Sequence, residues 1–552
     1  MTSTPSDPAP TGDFDAVVVG AGFSGLYALY RLRGFGFRTR VFEAANGVGG
    51  TWHWNRYPGA RSDAPSTDYS YSFDDALQQE WDWSEFYPSQ PELLEYLNHV
   101  ADRFDLRPDI QLETRVTAAT FDETTDLWTV TTDTGESVTA RFLVLGTGNL
   151  SVPRDADFEG LDSFEGELLQ TSSWPQTPVD LTGKRVGVIG TGSSGVQVVP
   201  SVMDAAAHTK VFQRTPPFAA RGANRKITPE ERAELRARYP EYRAHARTHA
   251  PGIDNNPGDK KTTDVTPEEM QREYEERWAV GGHSVTVAYT DVMVSEEANE
   301  TLADFLRARI PEVVKDPKTA ELLTPRGYPV GARRVVLEIG YYDAFNRDDV
   351  ELVDVRTTPI TRITPKGVLV GDEEHELDAL ILATGFDAMT GAVLKIDIRG
   401  LGGQTIQEKW AAGPVSYLGV STAGFPNLLF IAGPGSPSVL TNVVVAIEQS
   451  TEWITQLMAD AVADGVTRID VDAESERQWV EHVNEVAAAT LFMQGDSWYI
   501  GANVPGKPRV FMPYAGGVPA YIERTDAVRA EGYPGFLLTK GSDELASTGS
   551  AS

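Results

Sequence analysis

Two strand-like runs each end in a glycine-rich turn that opens a helix, and this repeat restricts the chain to an α/β fold with two nucleotide-binding units. Asp15-Ala-Val-Val-Val leads into Gly20-Ala-Gly-Phe-Ser-Gly25, followed by the helix-compatible run Leu26 to Leu32. Lys184-Arg-Val-Gly-Val-Ile leads into Gly190-Thr-Gly-Ser-Ser-Gly195. In G-x-G-x-x-G the glycines make a tight turn and let backbone N–H groups approach a pyrophosphate. Alone, each pattern could also be a plain turn between packed elements, so the residue at the end of the next strand matters. Glu43 ends Arg40-Val-Phe-Glu, where a carboxylate accepts hydrogen bonds from ribose hydroxyls, which points to FAD. Arg214 holds the corresponding place after Lys210-Val-Phe-Gln. An acid there would repel a 2′-phosphate, whereas arginine pairs with it, so NADPH is expected over NADH.

The 552 residues exceed one hydrophobic core, and a formal charge of −32 argues against a nucleic-acid or membrane-surface partner. No run approaches the length of a membrane span, and the first residues lack the pattern of an export signal, so a cytoplasmic protein is expected. The absence of cysteine removes disulfides, thiolate metal sites and the dithiol relay of disulfide reductases. With eight histidines, no H-E-x-x-H and no closely spaced His/Asp cluster recognised, no metal is expected. The chemistry should rest on organic cofactors.

The expected organisation has disordered tails at 1–12 and 541–552, both rich in small polar residues. Between them an FAD-binding domain occupies 13–150 and 387–540, and an NADP-binding domain occupies 151–220 and 331–386. A helical insertion is expected at 221–330, where Pro229-Glu-Glu-Arg and Pro267-Glu-Glu-Met read as helix starts. Strand-like Val350 to Val353 and Ala379 to Ala383 would complete the second fold, and Leu428-Leu-Phe-Ile-Ala before Gly433 would rejoin the first.

Several further segments resemble the type I Baeyer–Villiger monooxygenases, and within them the phenylacetone and steroid monooxygenase branch. The similarity spans nearly the whole chain. Gly49-Gly-Thr-Trp-His-Trp-Asn-Arg-Tyr-Pro-Gly-Ala-Arg-Ser-Asp63 matches one family fingerprint throughout. Ser497-Trp-Tyr-Ile-Gly-Ala-Asn503, Pro505-Gly-Lys-Pro-Arg-Val-Phe-Met512 and Gly433-Pro-Gly-Ser-Pro-Ser438 are similar to further family segments. The resemblance implies two Rossmann-like folds and an NADPH- and O2-dependent oxygen insertion beside a ketone carbonyl through a C4a-peroxyflavin, giving esters or lactones, with sulfoxidation as a side activity. A monomer acting on a small-molecule ketone is expected.

By that resemblance Arg334 is the catalytic cation, oriented by Asp63. Arginine does not deprotonate in proteins, so its charge would survive in a dry pocket. Without the resemblance, Arg333-Arg334 would read as a surface pair. FAD contacts are expected from Gly20, Gly22, Phe23, Ser24, Gly25, Glu43, Gly50, Thr51, Trp52, Tyr57 and Asp63. NADPH contacts are expected from Gly190, Thr191, Gly192, Ser193, Ser194, Gly195, Gln197, Arg214, Thr215 and Arg333. Ala383-Thr384-Gly385 matches a motif that passes close to the cofactor, although a strand-end turn would look the same. Trp498 matches a mobile-loop residue, although a lone tryptophan is more often core. Ala64, Leu150, Ser438, Val439, Leu440, Val443 and Met512 are expected to line an apolar pocket suited to aryl or bulky ketones.

Two departures stand out. The linker motif Phe164-Glu-Gly166-Glu-Leu-Leu-Gln170-Thr-Ser-Ser-Trp174-Pro175 carries Gln170 where the family has histidine, and an amide cannot become a cation. Ser62-Asp63-Ala64-Pro65-Ser66 lacks the acidic residue two places beyond Asp63 that is usual in relatives. These keep two alternatives open: an N-hydroxylating or sulfur-oxidising flavin monooxygenase, and an uncoupled NADPH oxidase.

Overall fold

The computed structural model describes residues 12–540. The segments expected to be disordered therefore lie outside the described residues, apart from Gly12, whose carbonyl accepts a hydrogen bond from Arg38 Nη2 at 3.1 Å.

Two separate sheets follow the two glycine turns. In the first, Phe14–Val19 lies between Thr39–Phe42 and Ser137–Leu145, parallel to both. Leu127–Thr132, Val116–Asp122 and Asp397–Arg399 extend one side, Ile110–Gln111 closes the other, and Leu428–Phe430 also pairs with Ser137–Leu145. In the second, five parallel strands run in the order Val350–Asp354, His208–Gln213, Arg185–Ile189, Ala379–Leu382, Glu167–Gln170. Strands covered on both faces read as continuous apolar runs, and Val17, Val18, Leu380 and Ile381 are fully buried. The glycine turns open the helices Phe23–Gly34 and Ser193–Val202. The first starts three residues before Leu26 because Phe23, Ser24 and Gly25 already form its buried first turn.

Between the strands Ala219–Arg221 and Val336–Glu338 lie the helices Pro229–Ala246, Pro267–Val280, Glu296–Val313 and Pro317–Leu323. Thr228 and Thr266 cap the first two in reciprocal boxes with Glu231 and Glu269, and proline fits the next position because its missing N–H would be unpaired there anyway. The helix Pro229–Ala246 docks on the first fold, where Tyr242 Oη donates to Asp68 Oδ2 at 2.6 Å and Arg243 Nη2 donates to Ser70 Oγ at 2.8 Å. An antiparallel sheet of Ile360–Thr364, Gly367–Val370 and Glu373–Glu376 precedes the strand Ala379–Leu382. Among the described residues no helix is long and apolar enough to cross a membrane.

Candidate active site

At the first glycine turn, Glu43 is 5 % exposed and receives the N–H groups of Ala21 at 2.7 Å and Ala45 at 2.8 Å. Burial raises its carboxyl pKa, and these N–H groups oppose the rise. Each oxygen keeps a second lone pair for a hydroxyl donor. A Cβ on Gly22 would stand 3.2 Å from Gly50 Cα, so bare backbone from this turn meets bare backbone from the start of the helix Thr51–Trp54. Only glycine at both places allows this approach, which sets the N–H groups of the two turns side by side, the arrangement that suits a dinucleotide pyrophosphate.

The second turn is open, because a Cβ on Gly192 would meet nothing within 4 Å. Thr191 Oγ1 ties the turn to the next strand end by donating to the Thr215 carbonyl at 3.0 Å. Beyond it lies a cavity of about 340 Å³ lined by Thr215, Arg326, Tyr328, Arg333, Arg356 and Asp496 among others. Arg333 stacks on Tyr328 with its guanidinium carbon 5.0 Å from the ring centroid, and its Nε is buried without a protein partner. Arg214 is exposed, and together with Arg333 it helps hold the Asp496 carboxyl below its ordinary range, behind the larger effect of Arg509. An unmatched guanidinium donor beside a cavity suits a phosphate. Thr384 Oγ1, after the strand Ala379–Leu382, is likewise buried without a partner. The bare glycine backbone, the waiting carboxylate and the orphaned donors fit a flavin dinucleotide at the first turn and a phosphorylated nicotinamide dinucleotide at the second.

The fingerprint Gly49 to Asp63 joins the two folds. Tyr57 Oη donates to Gln197 Oε1 at 2.7 Å, and Gln197 Nε2 donates to the Arg61 carbonyl at 3.1 Å. Gln197 belongs to the helix of the second glycine turn. Gly59, at φ +83°, lets the loop press on that helix: a Cβ would lie 2.4 Å from the Gln197 carbonyl oxygen and 2.1 Å from Ser201 Oγ. At the end of this loop Asp63 accepts Arg334 Nε at 2.7 Å and Nη2 at 2.9 Å, and Arg334 Nη1 donates to the Val439 carbonyl at 3.0 Å. The side chains keep 32 % and 22 % exposure for Arg334 and Asp63, yet protein surrounds both, so the open surface faces an internal cleft. Burial alone would raise the Asp63 carboxyl, but Arg334 overrides it and brings the pKa to about 2. The guanidinium is correspondingly held more firmly protonated.

Val439 and Met512 belong to a buried apolar cluster with Tyr499, Ile500 and Phe511, against which Leu150, Leu440 and Trp498 pack. Ser438 is fully buried at φ +37°, with its hydroxyl unpaired, and Ala64 is also buried. Val443 differs from this group: it starts the helix Val443–Ala463 and packs on the first fold's core. Gln170 closes the edge strand Glu167–Gln170, opposite Leu382, and its side chain accepts from Ser173 Oγ at 3.4 Å. Gly166 leaves room for the Asp378 carbonyl, 2.6 Å from where a Cβ would stand, and Trp174 is buried in the second fold's core.

Sequence reasoning missed two groups at the pair. His283 Nε2 lies 4.0 Å from Asp63 Oδ2 with no hydrogen bond, and burial lowers its pKa. Tyr499 sets its hydroxyl against Arg334, and burial raises its pKa. No spacing rule links residues so far apart in sequence, although the Ser497 to Asn503 segment already held Tyr499. A third feature corrects the expectation that the chain has no close His/Asp cluster: a turn brings His245, His249 and Asp254 together.

Fold and site together define a flavin-dependent oxidoreductase with two dinucleotide-binding folds and a fixed cation where they meet. A family model described as pyridine nucleotide-disulphide oxidoreductase matches residues 17–305, here in a chain without cysteine. A Baeyer-Villiger monooxygenase of Pseudooceanicola batsensis is 42 % identical over 97 % of this chain and 98 % of its own. An acetone monooxygenase (methyl acetate-forming) of Gordonia sp. is 41 % identical over 96 % of this chain and 100 % of its own. The solved structure of oxidized steroid monooxygenase bound to NADP superposes with a TM-score of 0.92 at 48 % identity, covering 96 % of this chain and 100 % of that one. The chain belongs to the Baeyer–Villiger monooxygenase family.

Proposed function

We propose that this chain uses FAD at the first glycine turn and NADPH at the second to insert one atom of O2 beside the carbonyl of a ketone, with aryl or bulky ketones preferred. The two cofactors together supply the reducing equivalents and the activation of O2. Every other requirement falls on the protein. Arg334 presents a cation that cannot be lost by deprotonation, and the developing negative charge on the substrate's carbonyl oxygen is what such a cation stabilises. Asp63 fixes the direction of the guanidinium by two parallel hydrogen bonds and keeps the pair close to neutral until substrate charge develops. Apolar side chains from the Val439 and Met512 cluster exclude water and offer no charged partner, which suits a neutral ketone. Arg333 and Arg214 favour NADPH over NADH by offering donors to its extra phosphate.

The observation that carries the reading is the Asp63–Arg334–Val439 chain of hydrogen bonds, which joins a fixed cation to a buried apolar cluster. The test compares NADPH oxidation with and without phenylacetone while ester and H2O2 are measured. Ester in proportion to NADPH supports the reading, and peroxide alone favours the uncoupled oxidase that Gln170 keeps in view. A panel of acetone, cyclohexanone, phenylacetone and a steroid ketone tests the preference. Reaction with only the small ketones would overturn the bulky-ketone part and leave the rest intact.

A further inference from the structure

We infer that His245, His249 and Asp254 form a binding site for a first-row divalent metal ion of the zinc or nickel type. The helix Pro229–Ala246 carries His245 in its last turn, and the chain then bends so that His249 and Asp254 return to it. One ligand atom from each residue lies within 4.8 Å of the other two. The imidazole centroids are 4.6 Å apart at 75°, and His245 Nε2 stands 3.6 Å from Asp254 Oδ1. A tetrahedral ion with bonds of about 2.1 Å separates its ligand atoms by about 3.4 Å, so this edge already has the length of a bridged pair. His249 is the one ligand left to close on this edge, and its ligand atom already lies within 4.8 Å of the other two.

A second, independent feature orients the site. His249 Nδ1 lies 3.1 Å from the Ile253 carbonyl oxygen. A carbonyl only accepts, so Nδ1 carries the proton and the lone pair is left on Nε2 for an ion. This is the backing that metal-bound histidines usually have. Two imidazoles and one carboxylate select zinc, nickel or cobalt over magnesium or calcium, which require all-oxygen shells. With His245 57 % exposed, the ion enters from solvent and water completes its coordination.

The bend that the ion would lock also supports the pocket loop. The Pro251 carbonyl accepts the Asn442 N–H at 2.7 Å, the Ala250 carbonyl accepts that of Val518 at 2.9 Å, and Asn442 Nδ2 donates to the Asp68 carbonyl at 2.6 Å. Asn442 caps the helix that follows the Ser438–Leu440 turn. Metal binding is thus a structural clamp beside the pocket, with no role in the oxidation step.

The test uses untagged, chelator-treated holoenzyme titrated with Zn2+, Ni2+ and Mg2+, read by calorimetry, by Tm and by the visible bands of bound Co2+. One Zn2+ per chain with micromolar affinity and a raised Tm is expected, with no Mg2+ binding. His245→Gln and His249→Gln should each weaken binding by about 10-fold or more, while metal-free turnover stays at the wild-type value and so reports intact folding. No saturable Zn2+ binding below about 1 mM, or unchanged affinity in both variants, would overturn the proposal.

Discussion

Around Arg334 the decisive interactions are few, and each belongs to a named atom. Asp63 takes two of its donors and the Val439 carbonyl a third, so the cation is directed at once by the loop that ends at Asp63 and by the Ser438–Leu440 turn. His283 is the group there whose ordinary pKa lies closest to neutral. It faces Asp63 and Arg334, and burial is the largest cause of its lowered pKa, followed by Asp63, which opposes the shift, and Arg334, which adds to it. The folded protein therefore binds fewer protons than the unfolded chain once the pH drops below the ordinary histidine value of about 6.5. The stability carried by neutral His283 is complete above that pH and is lost as the pH falls toward the folded value. His283→Gln should lose less Tm than wild type between pH 7 and about 5, measured by thermal unfolding across a pH series. Equal losses would show that His283 does not titrate differently on folding.

The contrasting glycines belong to the scale of elements. Gly59 lets a loop of the first fold touch the Ser193–Val202 helix, and a methyl there collides with backbone at a positive φ. Gly59→Ala should cost about 1–3 kcal/mol of stability and reduce the ester formed per NADPH, since it separates the folds. Gly192 has open space instead. Gly192→Ala should leave Tm nearly unchanged and raise the KM for NADPH by about 10-fold, seen in steady-state kinetics beside thermal unfolding. Both glycine turns, their helices and the Pro-led helix starts were legible in the sequence because local sterics and capping dictate them. The small sheet of Ile360–Glu376 was not, since its strands span only four or five residues each and the outer two are largely polar and exposed. The His245–Asp254 bend was equally hidden, because its ligands meet through a turn rather than along one helix face.

Across the whole molecule, a chain with a formal charge of −32 gathers Arg326, Arg333 and Arg356 around one cavity. Asp496 and the Arg326–Glu321 pair offset part of that charge, which leaves the unpartnered Arg333 Nε as the donor that favours an anionic occupant. Arg333→Ala should raise the KM for NADPH by about 10-fold or more and leave that for NADH nearly unchanged, as a charge-assisted phosphate contact of about 1.5–3 kcal/mol predicts. Equal losses with both cofactors would point to a structural defect. The sequence held the order of the nucleotide folds through Glu43 and Arg214, and the Asp63–Arg334 pairing through family resemblance. It could not hold the Tyr57–Gln197 contact or the nearness of His283, since both depend on how the folds are set against each other.

The central claim is that the Arg334 cation converts oxygen activated at this site into ester. The most direct measurement is mass spectrometry of the product formed from phenylacetone and NADPH under 18O2, with H2O2 quantified in parallel, for wild type and Arg334→Ala. The account predicts one 18O atom in the wild-type ester, and about a 10²–10³-fold slower ester formation in the variant, with NADPH still consumed. Wild-type ester rates in the variant, or an ester without 18O, would contradict it.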